Sequence, residues 1–344
     1  MSGSMENPSL LLLRNEHELI GHDILVINFE RDGFIRKLRK LNPESKITAF
    51  SYNMADIDSL DKNANAEAIV DVELPKRDFD LIIYYYPKSK PEAQMMFDNI
   101  RAIASQQTRL LVVGDNKGGV KSAQKQLEDK AEVCYKLESA KHCVLFEFGG
   151  LFALDKFQIN SYLKRFDVKI DELTFNVASL PGVFNHGSLD SGTALLLNAL
   201  NTDTLSGNVL DFGCGAGIIS AFMALKNPSI HPTALDVSAL AVYATNETFK
   251  LNNVKGTTLL SDGLNAITDT YNAVVSNPPF HTGLATDYTI SERFFKGAAS
   301  ILAKKGQLIL VANSFLKYLP ILQENFKMVD IPAKNNKFTI YQCQ

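Results

Sequence analysis

The feature that most restricts this chain is a short apolar run ending in evenly spaced glycines. Asn208-Val209-Leu210-Asp211-Phe212 passes directly into Gly213-Cys214-Gly215-Ala216-Gly217. The run predicts a buried parallel strand, and Ile218 to Leu225 predicts the helix behind it. Glycines at alternating positions let the backbone turn tightly and approach a ligand closely. Strand, glycine turn and helix in that order belong to an α/β sheet with parallel strands.

The spacing of the glycines separates one cofactor class from another. A dinucleotide fingerprint requires Gly-x-Gly-x-x-Gly, whereas here the third glycine falls one residue early, at Gly217, and position 218 is Ile. Asp211-x-Gly213-x-Gly215-x-Gly217 resembles instead the turn that holds the methionine end of S-adenosylmethionine (SAM). Two further strands end in acids. Thr233-Ala234-Leu235-Asp236 places a carboxylate 19 residues after Gly217, suited to both ribose hydroxyls. Thr258 to Asp262 places another, suited to an adenine amino group. The expected cofactor-binding set is Asp211, Gly213, Cys214, Gly215, Gly217, Asp236, Val237, Asp262, Gly263 and Asn277. A carboxylate at a strand end also caps the next helix, which is the plainer use of Asp236.

Asn277 opens the second motif, Asn277-Pro278-Pro279-Phe280-His281, after the apolar run Asn272 to Val275. Two prolines stop that strand and stiffen its carboxyl end, where open α/β sheets bind ligands. The Asn277 side-chain oxygen and the Pro278 carbonyl can both accept from one planar NH2 group, freeing its lone pair for an electrophile. Phe280 supplies a flat face for an aromatic base. An Asn-Pro-Pro-aromatic tetrad resembles that of SAM-dependent methyltransferases acting on exocyclic or amide nitrogens. The expected catalytic residues are Asn277, Pro278, Pro279 and Phe280, with Phe280, His281 and Phe184 facing the substrate. A rigid turn after a strand is the plainer alternative.

The 344 residues fit two domains. Asp23 to Asn28, Asp78 to Tyr86 and Arg109 to Gly114 read as strands in the first half, with helices over Gly33 to Leu41 and Lys90 to Ala104. That half has no glycine-rich turn after its first strand. Asp80 to Pro87 nevertheless parallels Asn272 to Pro279, and Leu111 to Asn116 parallels Ile309 to Ser314. An internal duplication whose first copy lost its cofactor site accounts for the echo, and a general likeness between any two α/β domains is the plainer alternative. The expected fold is therefore α/β, two tandem Rossmann-like domains of the SAM-methyltransferase type, the first degenerate. The boundary is placed in polar sequence at 165/166, giving 1–165 and 166–344. The glycine- and proline-rich Leu180 to Thr193 reads as a structured loop, a candidate lid. In the second half, helices are expected over Tyr288 to Lys304 and Phe315 to Phe326, with a closing hairpin across Lys334 to Asn336.

With 46% hydrophobic residues, net charge −3 and no long apolar run, the expectation is a cytoplasmic chain without a membrane segment. Its four cysteines lack metal spacing, and no metal is expected. Lys88 and Lys90, and Lys117, Lys121 and Lys125, form local basic clusters, for each of which a solvated face is the plainer reading.

Taken together, the sequence resembles the bacterial small-subunit (16S) ribosomal RNA guanine-N2 methyltransferases over nearly its whole length. The resemblance rests on Ile82 to Gln94, Val112 to Asn116, Leu180 to Phe184, Leu189-Asp190-x-Gly192 and Asn277 to His281. It implies SAM as cofactor and methylation of the N2 amine of one guanine, usually position 1207, in 16S rRNA of the small subunit. It also implies a first domain without cofactor that supports the fold or captures RNA. A monomer is expected. The family pattern nearer Phe-Ser-Arg-Asp-Gly is replaced here by Phe184-Asn185-His186-Gly187-Ser188. Alternatives are a large-subunit guanine-N2 enzyme, a protein glutamine-N5 or adenine-N6 methyltransferase, and an RNA-binding assembly factor without catalysis.

Overall fold

The computed structural model describes residues 4–184, 186–280 and 285–344. The chain divides into two compact units, 1–162 and 163–344.

In the first unit seven strands form one sheet. They are β1 (Asp23–Ile27), β2 (Lys46–Ser51), β3 (Glu67–Val70), β4 (Leu81–Tyr85), β5 (Arg109–Asp115), β6 (Ala131–Ala140) and β7 (Cys143–Leu151). Their spatial order is β3-β2-β1-β4-β5-β7-β6, and only β7 and β6 join antiparallel. The apolar runs of β1 and β4 are buried on both faces, as a parallel sheet covered by helices requires.

The second unit opens with a hairpin of β8 (Lys164–Ile170) and β9 (Leu173–Ser179), folded from the polar stretch that carries the expected boundary. Then come β10 (Gly207–Phe212), β11 (Ile230–Asp236), β12 (Thr257–Leu260), β13 (Tyr271–Ser276), β14 (Leu302–Asn313), β15 (Val329–Lys334) and β16 (Phe338–Cys343). The order β12-β11-β10-β13-β14-β16-β15 repeats that of the first unit, strand for strand.

Register makes the correspondence residue-specific. Asn28 N–H donates to Phe50 O at 2.8 Å, and Gly213 N–H donates to Leu235 O at 2.8 Å. Both Asn28 (φ 54°) and Gly213 (φ 73°) are left-handed, as are Gly33 and Gly217 where the following helices begin. From these anchors, Val26, Asn28, Ser51 and Tyr85 stand where the second unit has Asp211, Gly213, Asp236 and Asn277. The first copy therefore keeps the frame but has no carboxylate at either acidic position. Its Tyr85 hydroxyl is buried against Ser9 Oγ at 2.8 Å.

Several element bounds differ from expectation, among them the strand Leu81–Tyr85, expected from Asp78, and the helix Lys90–Arg101, expected to reach Ala104. The helix Ala285–Ile301 ends early because Leu302 already pairs with Tyr271, and Lys305 (φ 66°) sits in a bulge before regular pairing resumes. The next helix begins at Leu319, not Phe315, because Ser314 is tied to the β15–β16 turn. Among the described residues, no helix is long and apolar enough to cross a membrane.

Candidate active site

The glycine turn hangs between two carboxylates. Asp211, at the end of β10, is fully buried. Its Oδ2 accepts from the Ser220 amide (3.1 Å) and hydroxyl (2.7 Å), which ties it to the helix Ile218–Lys226. Its Oδ1 is buried with no hydrogen-bond partner. Burial pushes the Asp211 carboxyl up to about 7, against the pull of the Ser220 bonds. A buried acceptor left unpaired in a folded protein marks a place where a donor belongs.

Asp236, at the end of β11, accepts from Gly215 N–H (2.9 Å) and Ser238 N–H (3.0 Å). It thus fixes the middle of the glycine turn and caps the next helix, and the Val237 amide bonds it as well. Burial raises its pKa while these amide bonds lower it. Val237 and Asp262 are half-buried beside these strand ends, and Gly263 is left-handed (φ 56°). A Cβ at Gly215 or Gly263 would meet nothing within 4 Å, so both backbones border open space. Gly217 is different. A Cβ there would stand 2.8 Å from Thr245 Cγ2, so this glycine serves close packing of helix on turn.

Cys214 points the other way. Its N–H donates to Leu235 O, and its thiol lies 3.3 Å from Thr245 Oγ1, in a small cluster with Ala234 and Phe249. Burial, with the charges of Asp236 and Asp211, holds that thiol well above its usual range. Among the expected cofactor residues, Cys214 offers neither its side chain nor its amide to a ligand.

The Asn-Pro-Pro-Phe tetrad leaves β13 beside the glycine turn. Ser276 Oγ donates to Phe212 O at 2.7 Å and joins the two strand ends. Gly213 lies under the tetrad, since a Cβ there would be 3.6 Å from Pro279 Cδ. Asn277 Nδ2 donates to Asp190 Oδ2 (3.1 Å) and Thr193 Oγ1 (2.9 Å). A carboxylate only accepts, so the NH2 end must face Asp190. The amide oxygen is thereby left as the end available to the cleft that Asn277 lines. Asp190 also caps the helix Ser191–Ala199 by accepting from Thr193 N–H at 3.0 Å. The same device recurs in the first unit, where the third residue of a leading helix, Ser9, holds Tyr85.

Phe280 is half-buried on an aromatic cluster. Its ring lies 5.8 Å from Phe294 and 6.5 Å from Phe212, which themselves stack at 4.2 Å. Phe294 and Phe295 are core, not cleft. Asn277, Pro278 and Phe280 line one side of a shallow cleft, and Asn313, Tyr318 and Phe338 line the other. Phe184 is 57% exposed on the loop after β9. His281 lies outside the described residues.

The site thus brings Asp211, Gly213, Gly215, Asp236 and the tetrad to the carboxyl ends of adjacent strands, as ligand sites in open α/β sheets require. Sequence reading missed Asp190 and Thr193 as partners of Asn277, and Phe338 as a wall of the cleft. Asp190 carries a visible signal, a cap residue three positions before Thr193, but its second bond is tertiary. Among the described residues, no group of three or more His, Cys, Asp or Glu could hold a metal ion.

Comparison with known proteins gives this geometry its context. Residues 9–166 match the profile of the Methyltransferase small domain N-terminal family, and residues 174–342 that of the Methyltransferase small domain. The chain is 53% identical to the ribosomal RNA small subunit methyltransferase C of Pseudoalteromonas translucida, covering 98% of each chain. It is 37% identical to the protein of the same name from Colwellia psychrerythraea, over 99% of this chain and 98% of that one. Its fold matches that of the T. thermophilus 16S rRNA N2 G1207 methyltransferase in complex with AdoMet and guanosine. There the TM-score is 0.83 at 21% identity, over 96% of this chain and 91% of that one. Two tandem units of one topology, a SAM-type glycine turn in the second and near full-length identity to named relatives agree. The chain belongs to the ribosomal RNA small subunit methyltransferase C family.

Proposed function

We propose that this chain transfers the methyl group of SAM to the exocyclic N2 amine of a guanine in 16S rRNA of the small ribosomal subunit, at the position known as 1207 in its relatives. The observation that carries this reading is the locked Asn277 amide, with its NH2 end on Asp190 and Thr193, at the mouth of a cleft beside the glycine turn.

The residues fit SAM. Asp211, Gly213, Gly215, Asp236, Val237, Asp262 and Gly263 would hold it, with the unpaired Asp211 Oδ1 and the open faces of Gly215 and Gly263 as its cradle. Bound there, SAM supplies an activated sulfonium methyl. The chain's own residues then have one task, to hold a weak amine in line. Asn277 Oδ1 and the Pro278 carbonyl accept the two N–H bonds of the guanine amine, which draws its lone pair out of conjugation. Phe280, backed by Phe212 and Phe294, stacks on the base. A stacked guanine cannot reach this cleft, so the nucleotide is flipped out. The amine proton leaves to water, and no side chain is needed as a base.

The first unit, read as 1–165, serves fold support and RNA capture, and the second, 166–344, catalysis. The catalytic set lies wholly within residues 190–338, which supports action as a monomer. Among the described residues all four cysteines are free, in keeping with a cytoplasmic protein.

The test is transfer of labelled methyl to small subunits lacking the modification, beside naked 16S rRNA, large subunits and a release factor. Label recovered as N2-methylguanosine from small subunits is the expected result. Label in large subunits moves the enzyme to the sister activity. Label in protein or as methyladenosine contradicts the substrate reading. SAM binding without any transfer leaves an assembly factor.

A further inference from the structure

The far wall of the cleft ends in a rim that the methyl-transfer chemistry does not use. After β14 the chain turns at Ser314-Phe315. Ser314 N–H donates to Lys337 O at 2.8 Å, and its hydroxyl bonds Asn335 O (3.1 Å) and Thr339 Oγ1 (2.9 Å). The β14 turn and the β15–β16 turn are therefore one fixed structure. Leu316 and Tyr318 are buried in the core, and this anchoring leaves Phe315 outward at 63% exposure. Lys337 Nζ stands 5.1 Å from the centroid of the Phe338 ring that lines the cleft. Residues 313–319 and 332–338 contain three lysines, Lys317, Lys334 and Lys337, all exposed, and no acid.

A single exposed phenylalanine is ordinary on a protein surface. This one stands on a turn pinned through Ser314, between Asn313 and Tyr318 of the cleft lining, with Lys317 two residues on. A flat ring beside ammonium groups is how proteins hold single-stranded nucleic acid without reading its sequence, the ring taking a base and the lysines its phosphates. A flipped target needs such a hold, because its neighbours lose their stacking partner. We propose that Phe315 is the stacking platform for a nucleotide adjacent to the methylated guanine, and that Lys317, Lys334 and Lys337 bind the phosphates around it. This rests on the RNA substrate proposed above.

Full-length Phe315→Ala, Phe315→Tyr and Lys337→Ala test it, in two assays. In the first, initial rates are measured on unmodified small subunits, with SAM binding by calorimetry as control. Phe315→Ala is expected to raise the KM for subunits about tenfold, with kcat and SAM affinity within twofold of wild type, and Phe315→Tyr to restore it. Lys337→Ala is expected to reduce the salt slope of subunit binding by about one. In the second, a short single-stranded RNA oligonucleotide is titrated by fluorescence anisotropy, independent of turnover, and Phe315→Ala is expected to bind it about tenfold more weakly. Unchanged oligonucleotide affinity in Phe315→Ala overturns the platform whatever the acceptor proves to be. A fall in kcat with KM unmoved overturns it too. Oligonucleotide binding that depends on Phe315, without transfer to small subunits by wild type, overturns the substrate reading and leaves the platform standing.

Discussion

At Asn277 the two ends of one amide have opposite hydrogen-bonding character, and Asp190 and Thr193 settle which end faces the cleft. Removing that constraint lets the amide rotate and offer donors to an amine that is itself a donor. Asp190→Ala and Thr193→Val are expected to lower kcat roughly 10- to 100-fold, the scale of a small misplacement of a reacting group. SAM affinity should stay within twofold, and Thr193→Ser, which keeps the acceptor, should recover most of the rate. Steady-state kinetics beside calorimetry checks all three. Asp211 gives a stability prediction of definite sign. Its folded pKa of about 7 lies above the ordinary carboxylate value, so the folded protein prefers the proton there. The cost is absent below about pH 4, grows as pH rises and is complete above about pH 7, at an upper bound of roughly 4 kcal/mol. Asp211→Asn should therefore raise the melting temperature at pH 8 and leave it little changed at pH 4, while weakening SAM binding. Thermal melts at the two pH values decide it, and a fall in stability at pH 8 would contradict the burial account.

At the scale of elements, the glycine turn separates fold from ligand binding within three residues. Ala at Gly217 meets Thr245 Cγ2 at 2.8 Å and a left-handed backbone, and should destabilise the protein by about 2–3 kcal/mol. Ala at Gly215 meets open space and bears only the backbone strain, about 1 kcal/mol, yet its methyl would occupy the cradle. Melts and SAM titrations should rank the two variants in opposite orders. The same contrast shows what was readable in the sequence. The turn and the tetrad are local patterns, so β10, β13 and the glycines could be read directly. The β8–β9 hairpin alternates at Phe166, Val168 and Ile170, a period-two signal obscured by the charges between. Strands β2, β3, β6 and β7 are not legible in the sequence, because short mixed segments are decided by their neighbours in the sheet. The helix expected from Phe315 starts at Leu319 because Ser314 is claimed by the β15–β16 turn, a contact 21 to 25 residues away in the chain. The Asn277 partners lie 84 and 87 residues upstream, beyond any periodicity.

At the scale of the whole molecule, one strand order is used twice, and the two copies differ in chemistry. Val26, Ser51 and Tyr85 in the first unit fill positions where the second has two carboxylates and an amide, so only the second can present the paired acids and the Asn-Pro-Pro-Phe tetrad. The net charge of −3 means that RNA must be held by local patches. In the first unit Lys90 and the 117–121 turn adjoin, since a Cβ on Gly119 would lie 3.7 Å from Lys90 Cε. A Lys88→Glu, Lys121→Glu variant is expected to raise the KM for small subunits about tenfold and leave SAM affinity unchanged, as kinetics beside calorimetry would show. The division of labour converges on one residue, and so does the most direct measurement. It is the single-turnover rate of labelled methyl transfer to unmodified small subunits by wild type and Asn277→Ala, with SAM affinity measured on both. N2-methylguanosine is the expected product, with a rate at least about 100-fold lower in the variant and SAM binding within twofold. Equal losses of rate and SAM affinity, or a variant as fast as wild type, would contradict this role for Asn277.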